Sequence, residues 1–274
     1  MKHIGIVKPE TLVTILNVLG MPVILIYALS MFVYPWVAVG WDWHQVQNVW
    51  DRWQGLNVGM LAFASSLTAF SISRYNAEKQ REREFRASKA FLPDALSELS
   101  SYLASSATVF KAGWEAARGE EVQVTAPNPP PGYRDVFREC IRYAEPEVGD
   151  FLARMLVRLQ VHSARLEAYI EQQGDDTWVS PDKHNLISYL YRLGELQAMV
   201  NKLFPYARSM ASFDSGPLDW EDFRNAYGNL DLWPEEYYID DQMNLEAFTK
   251  RVLERADPLD TQQGQAADAR NSRG

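Results

Sequence analysis

Between Arg52 and Arg74 the chain runs the length of a membrane helix without one charged side chain, then passes without a Gly or Pro break into the charged run RYNAEKQREREFRASKAF. An α-helix rises 1.5 Å per residue, so about 20 apolar residues cross a hydrocarbon core of about 30 Å. The run therefore predicts a membrane helix over 55–74 that continues as a juxtamembrane helix over 75–92. Within the span, Gly55, Gly59, Ala62, Ser66, Ala69 and Ser73 follow one another at steps of three and four, which keeps them on one face. In lipid no hydrophobic drive pulls helices together, and small residues on one face allow the close backbone approach that replaces it. The expected occupant of that face is the chain's own first membrane helix, ahead of a second copy in a homo-oligomer.

That first helix is predicted over 11–40. After a short tail, residues 1–10, carrying Lys2 and Lys8 against Glu10, no charge appears until Asp42. Ala28-Leu29-Ser30 resembles a signal-peptidase site, but the apolar MFVYPWVAVG that follows it argues for an uncleaved span. Gly20, Pro22 and Pro35 are expected to bend or end this helix. The connector, 41–54, is aromatic. With Trp36 just ahead of it, Trp41, Trp43, Trp50 and Trp53 form a belt at headgroup level, where an indole can keep its ring in lipid and its N–H in water. His44 with Asp42 and Asp51 reads as a solvated cluster before a metal site.

The flanks orient the hairpin. Arg74, Lys79, Arg81, Arg83, Arg86 and Lys89 face only Glu78, Glu82 and Glu84, the amino-terminal tail is basic, and the connector sets Arg52 against two acids. An excess of Lys and Arg marks the cytoplasmic side, so both termini are expected inside and the connector in the periplasm. The bilayer is the first partner this implies. Local pairs such as Glu82 with Arg86 are expected to leave the basic run little net headgroup affinity.

The stretch DRWQGLNVGMLAFASSLTAF followed by QREREFRASKAFLPDALSEL resembles a group of uncharacterised bacterial two-span membrane proteins. The likeness covers roughly residues 50–100 and implies a bacterial inner membrane, with no activity or site attached to it.

Beyond the membrane part, residues 93–256 read as one cytoplasmic helical bundle, making the fold class all-α. Leu92, Leu96, Leu99, Leu103, Phe110 and Trp114 recur at helical spacing and predict a buried face. APNPPPG, 126–132, reads as a stiff extended connector. A short helix over 133–144 is expected to turn Tyr133, Phe137, Cys140 and Ile141 inward. A long one follows Pro146 with Val148, Phe151, Leu152, Met155, Leu159, Leu166 and Tyr169 inside, and with His162 in the same stripe as a hydrogen-bonded core residue. Ser180 before Pro181 predicts the start of the next helix. Asp175, Asp176, Asp182 and His184 are the densest candidate metal ligands there, with helix-dipole stabilisation as the plainer account. Leu186, Leu190, Leu193, Val200, Leu203 and Phe204 predict its core face, with a bend at Pro205.

From Phe213 to Asp241 the chain holds nine acids, one base and seven aromatics. Trp220, Phe223, Tyr227, Trp233 and Tyr237 are candidates for a surface that meets an unknown cytoplasmic protein, though helical spacing favours their wrapping the bundle. A last helix is expected near 240–256 and a disordered tail over 257–274.

Charge narrows the function. Residues 120–274 carry sixteen Lys or Arg against twenty-seven Asp or Glu, which disfavours nucleic acid as a partner. Cys140 is the only cysteine, so no internal disulfide or CxxC site exists. No HExxH, GxSxG, P-loop or dinucleotide turn is present, so no catalytic residue, cofactor or metal is expected. The leading expectation is a non-enzymatic membrane-anchored interaction, scaffold or sensor protein. A membrane-permeabilising effector of toxin-like or phage-defence type is the alternative, and a membrane hydrolase a third.

Overall fold

The computed structural model describes residues 9–117, 126–173, 182–241 and 243–255, which pack as two units dividing between Gln80 and Arg81. The tails expected before residue 9 and after 257, and the expectations placed on Asp175, Asp176, Ser180 and Pro181, lie outside the described residues. The architecture is all-α apart from one pair of very short strands.

The first unit holds α1, Pro9–Ala28, a π-helical turn, Leu29–Val33, α2, Tyr34–Ala38, α3, Trp43–Arg52, and the start of α4, Gln54–Lys89. Two of its helical stretches are long and apolar enough to cross a membrane, Val18–Ala38 and the run that begins at Gln54. Gly20 and Pro22 do not end α1; the irregularity comes later, at Leu29–Val33. Pro35 has no N–H for the carbonyl four residues back, and its ring crowds that carbonyl, so the turn ahead of it widens. The freed Met31 carbonyl accepts the indole N–H of Trp50 at 2.9 Å. Gly40 and Trp41 then reverse the chain in left-handed backbone, φ +64° and +68°, a conformation that costs a residue with a side chain roughly 1–2 kcal/mol. Asp42 opens α3 by accepting the backbone N–H of His44 at 3.0 Å.

Helices α1 and α4 meet where Gly20 admits the side chain of Leu67, and the Tyr27 hydroxyl donates to the Asn57 amide oxygen. The more covered face of α4 carries Asn57, Met60, Ala64, Leu67 and Ser71.

The second unit begins with Arg81. It contains the end of α4, α5, Leu92–Ala116, α6, Tyr133–Tyr143, α7, Pro146–Gln173, α8, Lys183–Ala207, α9, Trp220–Asn229, the strands β1, Tyr238–Asp240, and β2, Met243–Asn244, and a helix α10 over 245–255. The apolar faces read from spacing are inside: Leu92, Leu96, Leu99 and Leu103 of α5, Phe137 and Cys140 of α6, Leu152 and Met155 of α7, and Leu186, Leu190, Leu193, Val200 and Leu203 of α8 are all fully buried. Two glycines permit close approach. A Cβ at Gly113 would strike the Tyr169 hydroxyl, and one at Gly194 the Tyr227 ring.

Polar groups tie these helices together. The Arg81 guanidinium donates to the carbonyls of Tyr143 and Ala144 at 3.1 and 2.7 Å, capping α6 where its last carbonyls have no intrahelical donor. Glu195, 7% exposed, pairs with Arg158 of α7 at 3.0 Å and with Arg192 at 2.9 Å. The two strands have no counterpart in the sequence reading; α10 starts at 245, and α8 is capped by Asp182 and runs through Pro205 to Ala207. APNPPPG is non-helical as expected.

Candidate functional site

The second unit has a cleft of about 640 Å³ among α5, α8 and α9, within the size range of small-ligand sites. Its floor is Gln197, 2% exposed. The amide nitrogen of Gln197 donates to the Ser100 hydroxyl at 3.2 Å and to the Asn201 oxygen at 2.9 Å, so both of its hydrogens are used. Its Oε1 is buried and receives no donor. Asn229 closes the array by donating its own Nδ2 to the same Asn201 oxygen at 2.9 Å. Asn201 Nδ2 and Asn229 Oδ1 are left unpaired among the described residues. The wall is made by Phe204, Pro205 and Met210, with the exposed Arg208 guanidinium 4.7 Å over the Phe204 ring. None of the lining residues is acidic.

The side chains picked from the sequence are distributed differently. Gly55, Gly59, Ala62, Ser66, Ala69 and Ser73 are all exposed, and nothing lies within 4 Å of a Cβ placed at Gly55 or Gly59. Packing of this ladder against the chain's first membrane helix is therefore corrected: α1 covers the Leu67 face. Trp36, Trp41, Trp43 and Trp50 do come together, with Trp36 5.6 Å from both Trp41 and Trp43, and Trp43 meeting Trp50 edge-on at 5.8 Å. Trp53 is exposed.

Of the basic run, Arg81 is the α6 cap, and Lys89 lies 3.8 Å over the Tyr206 ring, where burial lowers its pKa. Arg86 pairs with Glu82 at 3.1 Å as its spacing predicts, Lys79 lies near the Tyr75 ring, and Arg74 and Arg83 are exposed.

The aromatics weighed as a partner surface mostly take the wrapping arrangement that their helical spacing favours. Phe223, Tyr227 and Tyr237 are buried, Trp220 is half-buried and only Trp233, 62% exposed, presents its ring to solvent. Their acids turn to structural work: Asp219 and Asp222 form a capping box at the start of α9.

His162 lies in the α7 stripe as expected, 6% exposed and edge-on to Tyr102 and Phe110, but its Nε2 has no hydrogen-bond partner. Burial lowers its pKa to about 4. Cys140 is fully buried, and desolvation raises its thiol pKa, so it is a core group. Among the described residues no three His, Cys, Asp or Glu side chains converge to hold a metal ion. Asp182 and His184 meet only as cap and first turn, at 3.4 Å.

The polar cleft residues are not among those that the sequence singles out. A signal was present for two of them, since Gln197 and Asn201 stand one turn apart in an otherwise apolar α8 face; Ser100, Arg208 and Asn229 carry no pattern that separates them from ordinary surface. Comparison of the chain with family models, with curated proteins and with solved structures finds no match.

Proposed function

We propose that the chain is a two-pass membrane protein without catalytic activity, which holds its helical domain at the cytoplasmic face of a bacterial inner membrane for a protein partner. One observation carries the membrane reading. In the two span-length helices only 12% and 6% of the apolar window is buried, and Val18, Leu19, Leu25, Ile26, Val58 and Leu61 are each at least half exposed. Apolar helices of a soluble core are covered by other elements, whereas apolar helices in a bilayer are covered by lipid. The tryptophan cluster at the hairpin's end supports the same reading, because indole rings favour the interface.

The orientation rests on the basic flank after the second span and on the Lys2 and Lys8 tail, against a connector with no net positive charge. The resemblance of residues 50–100 to bacterial two-span proteins supports the host membrane. The absence of a catalytic motif from the sequence supports a display role.

Two measurements test this together. Membranes from expressing cells are washed with alkaline carbonate, and a reporter fused after Arg74 is assayed on each side. The chain should stay in the pellet with the reporter cytoplasmic. Release by carbonate rejects membrane insertion, and a reporter active only in the periplasm rejects the orientation.

A further inference from the structure

We propose that the cleft between α5, α8 and α9 binds the carboxyl end of a peptide: a free carboxylate on an apolar residue whose peptide group is also engaged. This names the partner chemistry that the display reading leaves open. It rests on that reading for its cellular meaning, while the binding itself can fail with the membrane assignment intact.

Charge comes first. Residues 120–274 carry eleven more acids than bases, yet no acid lines the cleft. Arg208 has no carboxylate partner among the described residues, and its guanidinium lies 4.7 Å from the centre of the Phe204 ring. The neighbouring Lys202 is neutralised by Asp214 at 2.9 Å. One guanidinium with no second cation suits a single carboxylate, which it can bind through two parallel N–H donors. Phosphate groups favour several cations or a helix amino end, and metal ions favour carboxylates; the lining offers neither.

In the same cleft the amides supply the complement of a peptide group. Asn201 Nδ2 donates and Asn229 Oδ1 accepts, and the two side chains are locked together by the bond from Asn229 Nδ2 to Asn201 Oδ1. A peptide C=O fits the first and a peptide N–H the second. Gln197 fixes Asn201 from below at 2.9 Å, so the pair is pre-positioned and little ordering is needed on binding. The apolar part of the ligand has Met210, 77% exposed, and Pro205 to lie against. Methionine adapts to side chains of different shape. Carboxylate capture beside main-chain pairing is a recurrent way of reading a peptide terminus.

The test uses the full chain in detergent micelles and a fluorescein-labelled pentapeptide ending in leucine, measured by anisotropy as the free acid and as its carboxyl-terminal amide. The acid should bind saturably, and the amide should bind about tenfold more weakly, as expected for a lost charge-assisted pair. Arg208→Gln should lower affinity for the acid by about tenfold and abolish the difference between acid and amide, while Arg224→Gln, outside the cleft, leaves both unchanged. Asn229→Ala should weaken both forms by roughly three- to tenfold. Arg208 and Asn229 are exposed, so these variants should keep the parent's thermal midpoint. Equal affinity for acid and amide, full affinity in Arg208→Gln, or no saturable binding overturns the proposal. Carbonate extraction remains the separate measure of the membrane reading.

Discussion

The two units use the same kinds of residue with opposite polarity. In the second, leucines at helical spacing point inward, and Leu92, Leu96, Leu99 and Leu103 have no exposed surface. In the first, Leu25, Val58 and Leu61 point outward and are 62%, 61% and 60% exposed. What joins α1 to α4 is sparse and specific: a glycine opposite a leucine, a tyrosine on an asparagine, an indole on a carbonyl. A soluble domain is held by apolar area removed from water, about 25 cal/mol per Å². On the proposed membrane reading, the helices of the first unit gain nothing by exchanging lipid for protein contact, so their order depends on close fit and on backbone groups that must be satisfied.

The sharpest way to break that comparison is to truncate one leucine in each unit. Leu103→Ala should destabilise the helical domain by about 2–5 kcal/mol in denaturant unfolding, because a cavity adds to the lost burial. Leu61→Ala should leave that midpoint unmoved. Equal effects would mean that Leu61 is packed like Leu103.

The buried histidine gives the second unit an acid limit. His162 has its pKa lowered to about 4 from the ordinary 6.5. As pH falls from 6.5 to 4 the unfolded chain takes up a proton that the folded chain refuses, so stability declines through that window. The slope is about 1.4 kcal/mol per pH unit, or roughly 3 kcal/mol by pH 4. His162→Phe should flatten the dependence between pH 6.5 and 4. An unchanged slope in that variant would move the acid response to other groups, such as Asp214, whose pKa the Gly216 N–H and Lys202 lower, and Asp231, whose pKa the Lys111 hydrogen bond lowers.

A smaller difference lies inside the hairpin. A Cβ at Gly20 would come within 3.3 Å of Leu67, while one at Gly59 meets nothing. Gly20→Leu should loosen the pairing of α1 with α4 by roughly 1–3 kcal/mol, the usual cost of overpacking. Gly59→Leu should leave it intact. Disulfide trapping of cysteines placed on the two helices reads both, and a loss in Gly59→Leu would put the small-residue face back at that contact.

How far the sequence could be read differs by unit for the same physical reason. Leu152, Met155 and Leu190 could be assigned to the core because in water a period of 3.6 residues distinguishes the covered side from the wet one. On α4 nearly every side is apolar or small, so periodicity found the ladder from Gly55 to Ser73 but could not say that Leu67 faces α1. The aromatics after Phe213 were half legible: the spacing of Phe223 and Tyr227 pointed inward, and the isolation of Trp233 gave no hint that it stays exposed.

The amino-acid sequence by itself determined the two apolar helices, the aromatic connector, the basic flank, the all-α class and most of the domain's core, because each follows from local composition or from the helical repeat. Tertiary structure decided which face of α4 is covered, that Arg81 and Lys89 serve the domain, that Phe223, Tyr227 and Tyr237 are interior, and that Ser100, Gln197, Asn201 and Asn229 form one hydrogen-bonded array. Those four residues come from three helices, with Ser100 lying 97 residues from Gln197 and Asn229 28 residues from Asn201. Their juxtaposition follows from how the helices stack, including the close contact that Gly194 permits beneath Tyr227, and no local pattern encodes it.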